Sequence, residues 1–256
     1  MKFPLIIAAR MGSSRLPGKT LMKIEGREML GMIIDRVKKS NYVGEIILAT
    51  TELKEDDKLA DWAKSEGISF FRGESFDMLK RLSDTVKFVG ADSFIEVLGD
   101  NPLIDSSIID ATCEEFIKNE YDYVSILTRE YSKFCKSNSH IFPIGIRAQV
   151  INSKTIFEAN RLAQSPINRE HATTYIIDHP DKFRIGLIEA ENIFSELNYP
   201  EYTFAVNVRA NLEMIKLIVQ VLNKKSQNWN LNDVIKLTSK NQNILSLMGN
   251  NASWNN

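Results

Sequence analysis

Four short apolar runs separated by segments of helical period confine the first 98 residues to one kind of architecture. The runs cover residues 3–8, 45–49, 68–71 and 94–98, each too short for a helix and closed by Gly, Thr or a charged residue. Between them Met29, Met32, Ile33 and Val37, then Leu59, Trp62 and Ala63, then Met78, Leu79, Leu82 and Val86 recur at helical spacing, with Gly67 and Gly90 as stops. This alternation predicts an α/β fold: a mostly parallel, mixed sheet flanked by helices on both faces. Further on, helices are expected at 106–118 (capped by Asp105), after Ser153 as N-cap, and at 210–222. Strands are expected at 121–128, 142–150, 183–188 and 202–206, and residues 129–141 read as a loop over the active face.

The first run leads into Ala9-Arg10-Met11-Gly12-Ser13-Ser14-Arg15-Leu16-Pro17-Gly18-Lys19, so Arg10, Arg15 and Lys19 sit beyond the carboxyl end of a strand, where open α/β sheets bind ligands. Small residues let backbone N–H groups approach phosphate oxygens while the cations neutralise them. The loop is not a Walker A motif. Five residues rather than four separate Gly12 from Gly18, and Pro17 precedes the second glycine. The net charge of −1 provides no bulk attraction to nucleic acid or an anionic membrane, so phosphate recognition must be local. Asp100 follows the fourth run. It reads either as a magnesium ligand opposite the basic loop or as a turn aspartate ahead of Pro102.

Two cysteines, Cys113 and Cys135, and three scattered histidines give neither a disulfide framework nor zinc spacing, and no run is long enough to span a membrane. A reducing cytoplasm is the expected compartment. Beyond Asn223 the composition turns to Asn, Lys and Ser. Leu231, Val234 and Ile235 predict one more short helix, and the Asn-rich end from Gly249 reads as mobile. The expected organisation is a domain over 1–223 and a C-terminal extension over 224–256.

The segments Ala9 through Lys19, Arg72-Gly73 with Asp77, Gly99-Asp100-Asn101-Pro102-Leu103-Ile104-Asp105 and Arg169-Glu170-His171 together resemble the cytidylyltransferases that make CMP-activated acidic sugars, above all those of spore-coat polysaccharide synthesis. The resemblance spans roughly residues 3–222 and implies a nucleotide-diphospho-sugar transferase fold, Rossmann-like and of the GT-A kind. It implies CTP and an acidic sugar as substrates, Mg2+ as cofactor and a homodimer. Arg10, Gly12, Ser13, Arg15 and Lys19 would then hold the triphosphate, with Ala8, Ala9 and Arg10 at the base and Arg72 and Asp77 at the nucleoside. Arg10, Lys19 and Asp100 would carry the catalysis, Asp100 as metal ligand, while Arg169, Glu170 and His171 would face the sugar.

Two departures from the family pattern fall on chemistry. Asn207 stands where the family carries an aspartate that is a second metal ligand, and Arg147 replaces an acidic residue. Either Arg147 takes the sugar's carboxylate and Asn207 is tolerated with Asp100 as main ligand, or the second metal position is lost and the chain is a silent nucleotide-binding relative. A glycosyltransferase of similar fold would be expected to carry Asp-x-Asp, which does not occur in the chain.

Overall fold

The computed structural model describes residues 1–248. Its first half is β1 (Phe3–Ala8), the two-residue strands β2 (Lys23–Ile24) and β3 (Arg27–Glu28), α1 (Met29–Val37), β4 (Val43–Thr51), α2 (Asp57–Ser65), β5 (Ser69–Gly73), α3 (Met78–Val89), β6 (Ser93–Leu98) and α4 (Ser106–Asn119). The second half is β7 (Tyr123–Ile126), β8 (Ala148–Asn152), α5 (Ser153–Leu162), α6 (Pro166–Glu170), α7 (Thr174–Asp178), β9 (Ile185–Ile188), α8 (Arg209–Asn223), α9 (Leu231–Thr238) and α10 (Gln242–Met248).

Seven strands form one sheet in the order β5-β4-β1-β6-β8-β7-β9, while β2 and β3 form a separate hairpin. The sheet is parallel from β5 through β6 and again between β7 and β9. Only β8 runs against its neighbours β6 and β7. This is the mixed, mostly parallel sheet expected, and each face packs its own apolar layer. Leu5 and Ile7 of β1 join the core under α1, α4 and α8, while Ile6 joins the one under α3, α5 and α7. Alternate residues of a strand point to opposite faces, so one six-residue strand serves both layers. No helix among the described residues is long and apolar enough to cross a membrane.

Several boundaries differ from the sequence reading. The stretch 142–150 is not one strand: Gly145 turns it at φ 90, and a Cβ there would lie 2.1 Å from the backbone nitrogen of Ala205, so only glycine lets the two segments meet. The stretch 202–206 is extended but makes a single bridge, Ile144 to Thr203, because it runs between Ile144 and Asp100 rather than along a full strand. Asn152, not Ser153, caps α5, accepting from the Lys154 N–H at 2.9 Å; Ser153 Oγ donates instead to the Ala91 carbonyl. Residues 129–134 are a 3-10 turn within the expected loop.

After α8 the chain continues into the same core. Leu231, Val234 and Ile235 of α9 and Ile244 and Met248 of α10 are buried in the α8 layer. The sequence reading missed α10, which Asn241 caps by accepting from the N–H groups of Asn243 and Ile244 at 3.1 and 3.2 Å. Just before α9, the Trp229 ring lies 4.3 Å from the guanidinium of Arg36, which donates to the Ile104 carbonyl at 2.6 Å and to Asp105 at 2.9 Å. The Thr203 N–H donates to Met248 Sδ at 3.4 Å. The Asn-rich end from Gly249 lies outside the described residues.

Candidate active site

The carboxyl ends of β1 and β6 open onto a cavity of about 790 Å3. One end of it is the loop after β1. Met11 holds the loop in shape: its N–H donates to Asp56 at 2.6 Å, and its carbonyl accepts from the N–H groups of Ser13 and Gly18 at 2.8 and 2.9 Å. Gly18, at φ 71, makes the turn that returns the chain to Met11. Thr20 Oγ1 donates to the Arg10 carbonyl at 3.2 Å. The amides of Ser13, Gly18 and Lys19 are therefore spent within the loop, and its side chains Arg10, Ser13, Arg15 and Lys19 are what line the cavity.

Across from the loop stand Asp100 and Asn207. The Val206 N–H donates to the Asp100 carbonyl at 2.9 Å, which brings the 203–207 segment alongside the β6 turn. Lys19 Nζ reaches both, 3.0 Å from Asp100 Oδ2 and 2.6 Å from the Val206 carbonyl, and Arg15 donates to Asn207 Oδ1 at 3.3 Å. Hard oxygens gathered around an ammonium form a cation-favouring environment, and a carboxylate with an amide oxygen suits magnesium that completes its shell on phosphate and water. The set carries one formal charge, because Asn207 is neutral. The compact triad His140, Glu189 and Glu191 does not line the cavity.

The opposite end is a buried polar network set by strand register. Glu96 of β6 pairs with Gln149 of β8, which pairs with Ser125 of β7. Gln149 Nε2 donates to Glu96, and its Oε1 accepts from Tyr123 and from Thr173, the latter at 3.0 Å. The Tyr123 and Tyr131 hydroxyls are hydrogen-bonded at 2.6 Å. Burial pushes the Glu96 carboxyl up to about 7, against the opposing pull of Arg147. Arg147 donates to Glu130 at 3.1 Å and lies over the Tyr131 ring at 5.4 Å. Its burial is outweighed by these neighbours, so it is held firmly charged. Glu170 and His171 line this end as well.

Other residues singled out from sequence are not brought to the cavity. Arg72 is spent on the carbonyls of Thr51 and Leu53, both at 2.9 Å, and on Asp57 at 2.6 Å. Asp77 caps α3, accepting from the Lys80 N–H at 2.8 Å, and takes Arg169 Nε at 2.7 Å; Arg169 also donates to the Asn160 carbonyl at 2.9 Å. The Asp77–Arg169 pair is thus a strut between α3 and α6. Gly12 does not line the cavity, and a Cβ there would meet Glu55 at 2.5 Å.

Sequence reasoning missed Arg81, Glu96 and Gln149, all of which line the cavity. Arg81 is almost fully buried and braces the segment before α3 by donating to the Glu74 carbonyl at 2.6 Å. Burial, reinforced by the nearby Arg10, lowers its pKa to about 10. The available signal was a polar residue inside an apolar run: Glu96 in 94–98, and Gln149 beside Arg147 in 142–150.

Comparison with known proteins adds independent findings. A profile of the family described as cytidylyltransferase matches residues 5–243. The spore coat polysaccharide biosynthesis protein SpsF of Bacillus subtilis is 29% identical over 84% of this chain and 85% of its own length. A 3-deoxy-manno-octulosonate cytidylyltransferase of Geobacter sulfurreducens is 30% identical over 46% of this chain and 47% of its own. Among solved structures, a cytidylyltransferase from Leptospira borgpetersenii superposes with a TM-score of 0.82 at 27% identity, covering 98% of both chains.

Proposed function

The chain belongs to the cytidylyltransferase family and is a nucleotidyltransferase, and on that premise we propose that it joins CTP to an acidic sugar, releasing pyrophosphate and forming a CMP-sugar for surface polysaccharide or glycoconjugate synthesis. One observation carries the reading: the cations of a single loop, Arg10, Arg15 and Lys19, share a cavity with Asp100 and Asn207, and Lys19 is already bonded to Asp100. The spore-coat relative and the partial match to an octulosonate enzyme support the sugar-acid assignment.

In this reading Arg10, Ser13, Arg15 and Lys19 hold the triphosphate, with the backbone from Ala8 to Arg10 at the base. A hydroxyl oxygen of the acceptor attacks the α-phosphorus and gives up its proton to water; the new P–O bond forms as the bond from the α-phosphorus to the bridging oxygen breaks, and pyrophosphate carries that electron pair away. Positioning and charge neutralisation supply most of the acceleration in such transfers. Lys19 leaves Asp100 for the phosphates, which moves a positive charge to where negative charge gathers and frees a carboxylate. Magnesium held by Asp100 with the Asn207 amide oxygen and the phosphates would screen charge and favour ionisation of the attacking hydroxyl. At the far end, Arg147 keeps N–H groups beyond the one given to Glu130 for the acceptor's carboxylate.

The test is pyrophosphate release from CTP with magnesium across a panel of acidic sugars, alongside calorimetric binding of CTP, UTP, ATP and GTP. Selective CTP binding that strengthens with magnesium, with release for at least one acid, is the expected result. No release with any acid, or equal binding of all four nucleotides, would overturn the reading.

A further inference from the structure

We infer that the acceptor carries a protonated amine bound by the Glu96 carboxylate, so that the substrate class is an amino-substituted sugar acid; the inference rests on the cytidylyltransferase reading above. Glu96 sits in the middle of β6, is 1% exposed, and contributes to the cavity wall. Among the described residues it receives one hydrogen bond, from Gln149 Nε2, and no cation touches it. The orientation of Gln149 is dictated by its neighbours. Tyr123 and Thr173 both donate to its Oε1, which leaves the amino group facing Glu96 and no second donor for the carboxylate.

Arg147 cannot serve as that partner by contact, because its hydrogen bond goes to Glu130 and its plane lies over Tyr131. A buried carboxylate without a touching cation is costly, and the rise of its pKa towards neutrality is the mark of that cost. Such an underpaired carboxyl on a cavity wall is a site for a ligand of opposite charge.

Charge counting along this end supports the assignment. Lys133 is paired with Asp178 and Arg147 with Glu130, which leaves Glu96 as a carboxyl on this wall with no ion-pair partner. A plain sugar acid placed on Arg147 would bring a second carboxylate near Glu96 with no cation added to balance it. A zwitterionic acceptor adds none: its carboxylate meets Arg147 and its ammonium meets Glu96.

The experiment compares pairs of sugar acids that differ only in bearing an amine or a hydroxyl at one carbon, with pyrophosphate release from CTP as the readout. A charge-assisted hydrogen bond corresponds to roughly a ten- to hundredfold preference in kcat/KM for the amine member of a productive pair. Glu96→Gln should abolish the preference by raising KM for the amine member, with CTP affinity unchanged by calorimetry. N-acetylation of the amine should have the same effect on the wild type. Equal or better use of the hydroxyl member in every pair, retention of the preference in Glu96→Gln, or no release from any amine while CTP binds would each overturn the inference. Absence of CTP binding would remove the cytidylyltransferase reading itself, and the inference with it. Should Glu96→Gln not fold, the wild-type preference and its loss on N-acetylation decide the matter.

Discussion

At the loop end of the cavity, Arg10, Ser13, Arg15 and Lys19 come from one short stretch of chain; at the far end, Glu96, Tyr131, Arg147, Gln149 and Thr173 come from four separate segments. The first arrangement is fixed by local turn chemistry and a few backbone hydrogen bonds to Met11. The second exists only because β8 runs antiparallel between β6 and β7 and so sets Gln149 beside Glu96. The loop end is also rich in positive charge, whereas the far end buries a carboxyl that folding does not favour. The two ends of the cavity are thereby built by different means, one from a local turn and the other from strand register.

The sharpest way to break this contrast is at the loop. Lys19→Ala is expected to lower kcat/KM for CTP by about 10²–10³, the usual cost of losing a donor aimed at developing charge, measured by pyrophosphate release. If the loss is confined to the sugar acid's KM, the two ends are not functionally distinct.

The next largest effect belongs to the far end and concerns pH. Glu96 has a folded pKa of about 7 against an ordinary 4.5, so the folded state holds its proton more tightly than the unfolded state. The Glu96 contribution is therefore most favourable below the ordinary value and is lost as pH rises through about 7, a change of about 3 kcal/mol. Urea midpoints at pH 5 and pH 8 should show the wild type losing stability relative to Glu96→Gln over that window.

Asp56 tests how far the loop is self-sufficient. It is fully buried and accepts from Met11 and Thr51. Asp56→Ala leaves the Met11 N–H without its partner, with an expected loss of about 1–3 kcal/mol in stability and a weaker CTP affinity, read by denaturation and calorimetry. The smallest effect is expected at Arg72→Gln. Its ion pair with Asp57 is partly solvated and a glutamine can still donate to one of the Thr51 and Leu53 carbonyls, so about 1 kcal/mol of stability should be lost, with CTP affinity unchanged.

These cases show why the sequence was readable in some places and not in others. The alternation of apolar runs and helical segments gave β1, β4, β5 and β6 to within a few residues, because each element's pattern is local. The loop was legible for the same reason, since glycines and cations close in sequence need no distant partner to be recognised. Arg72, Asp77 and Arg169 were not legible in this way, because a charged side chain reads the same whether it faces a ligand or closes a strut, and here each is bonded within the protein away from the cavity. Glu96 and Gln149 escaped because a polar residue in an apolar strand acquires meaning from register, which the strand's own residues do not encode. The strand expected at 202–206 failed on a related point: its extended shape was right, but its neighbours, Ile144 and Asp100, allow one bridge and no ladder.

Trp229 stacks on the Arg36 side chain that holds Ile104 and Asp105, and Met248 holds Thr203, so residues late in the chain steady both the turn after Asp100 and the segment leading to Asn207. During synthesis, a nascent chain of the first 223 residues would already contain every side chain that lines the cavity. It would still lack both braces. The loop after β1 is held by hydrogen bonds among its own residues and one to Asp56, whereas the wall opposite it takes two of its braces from chain that is made last, just before α9 and at the end of α10.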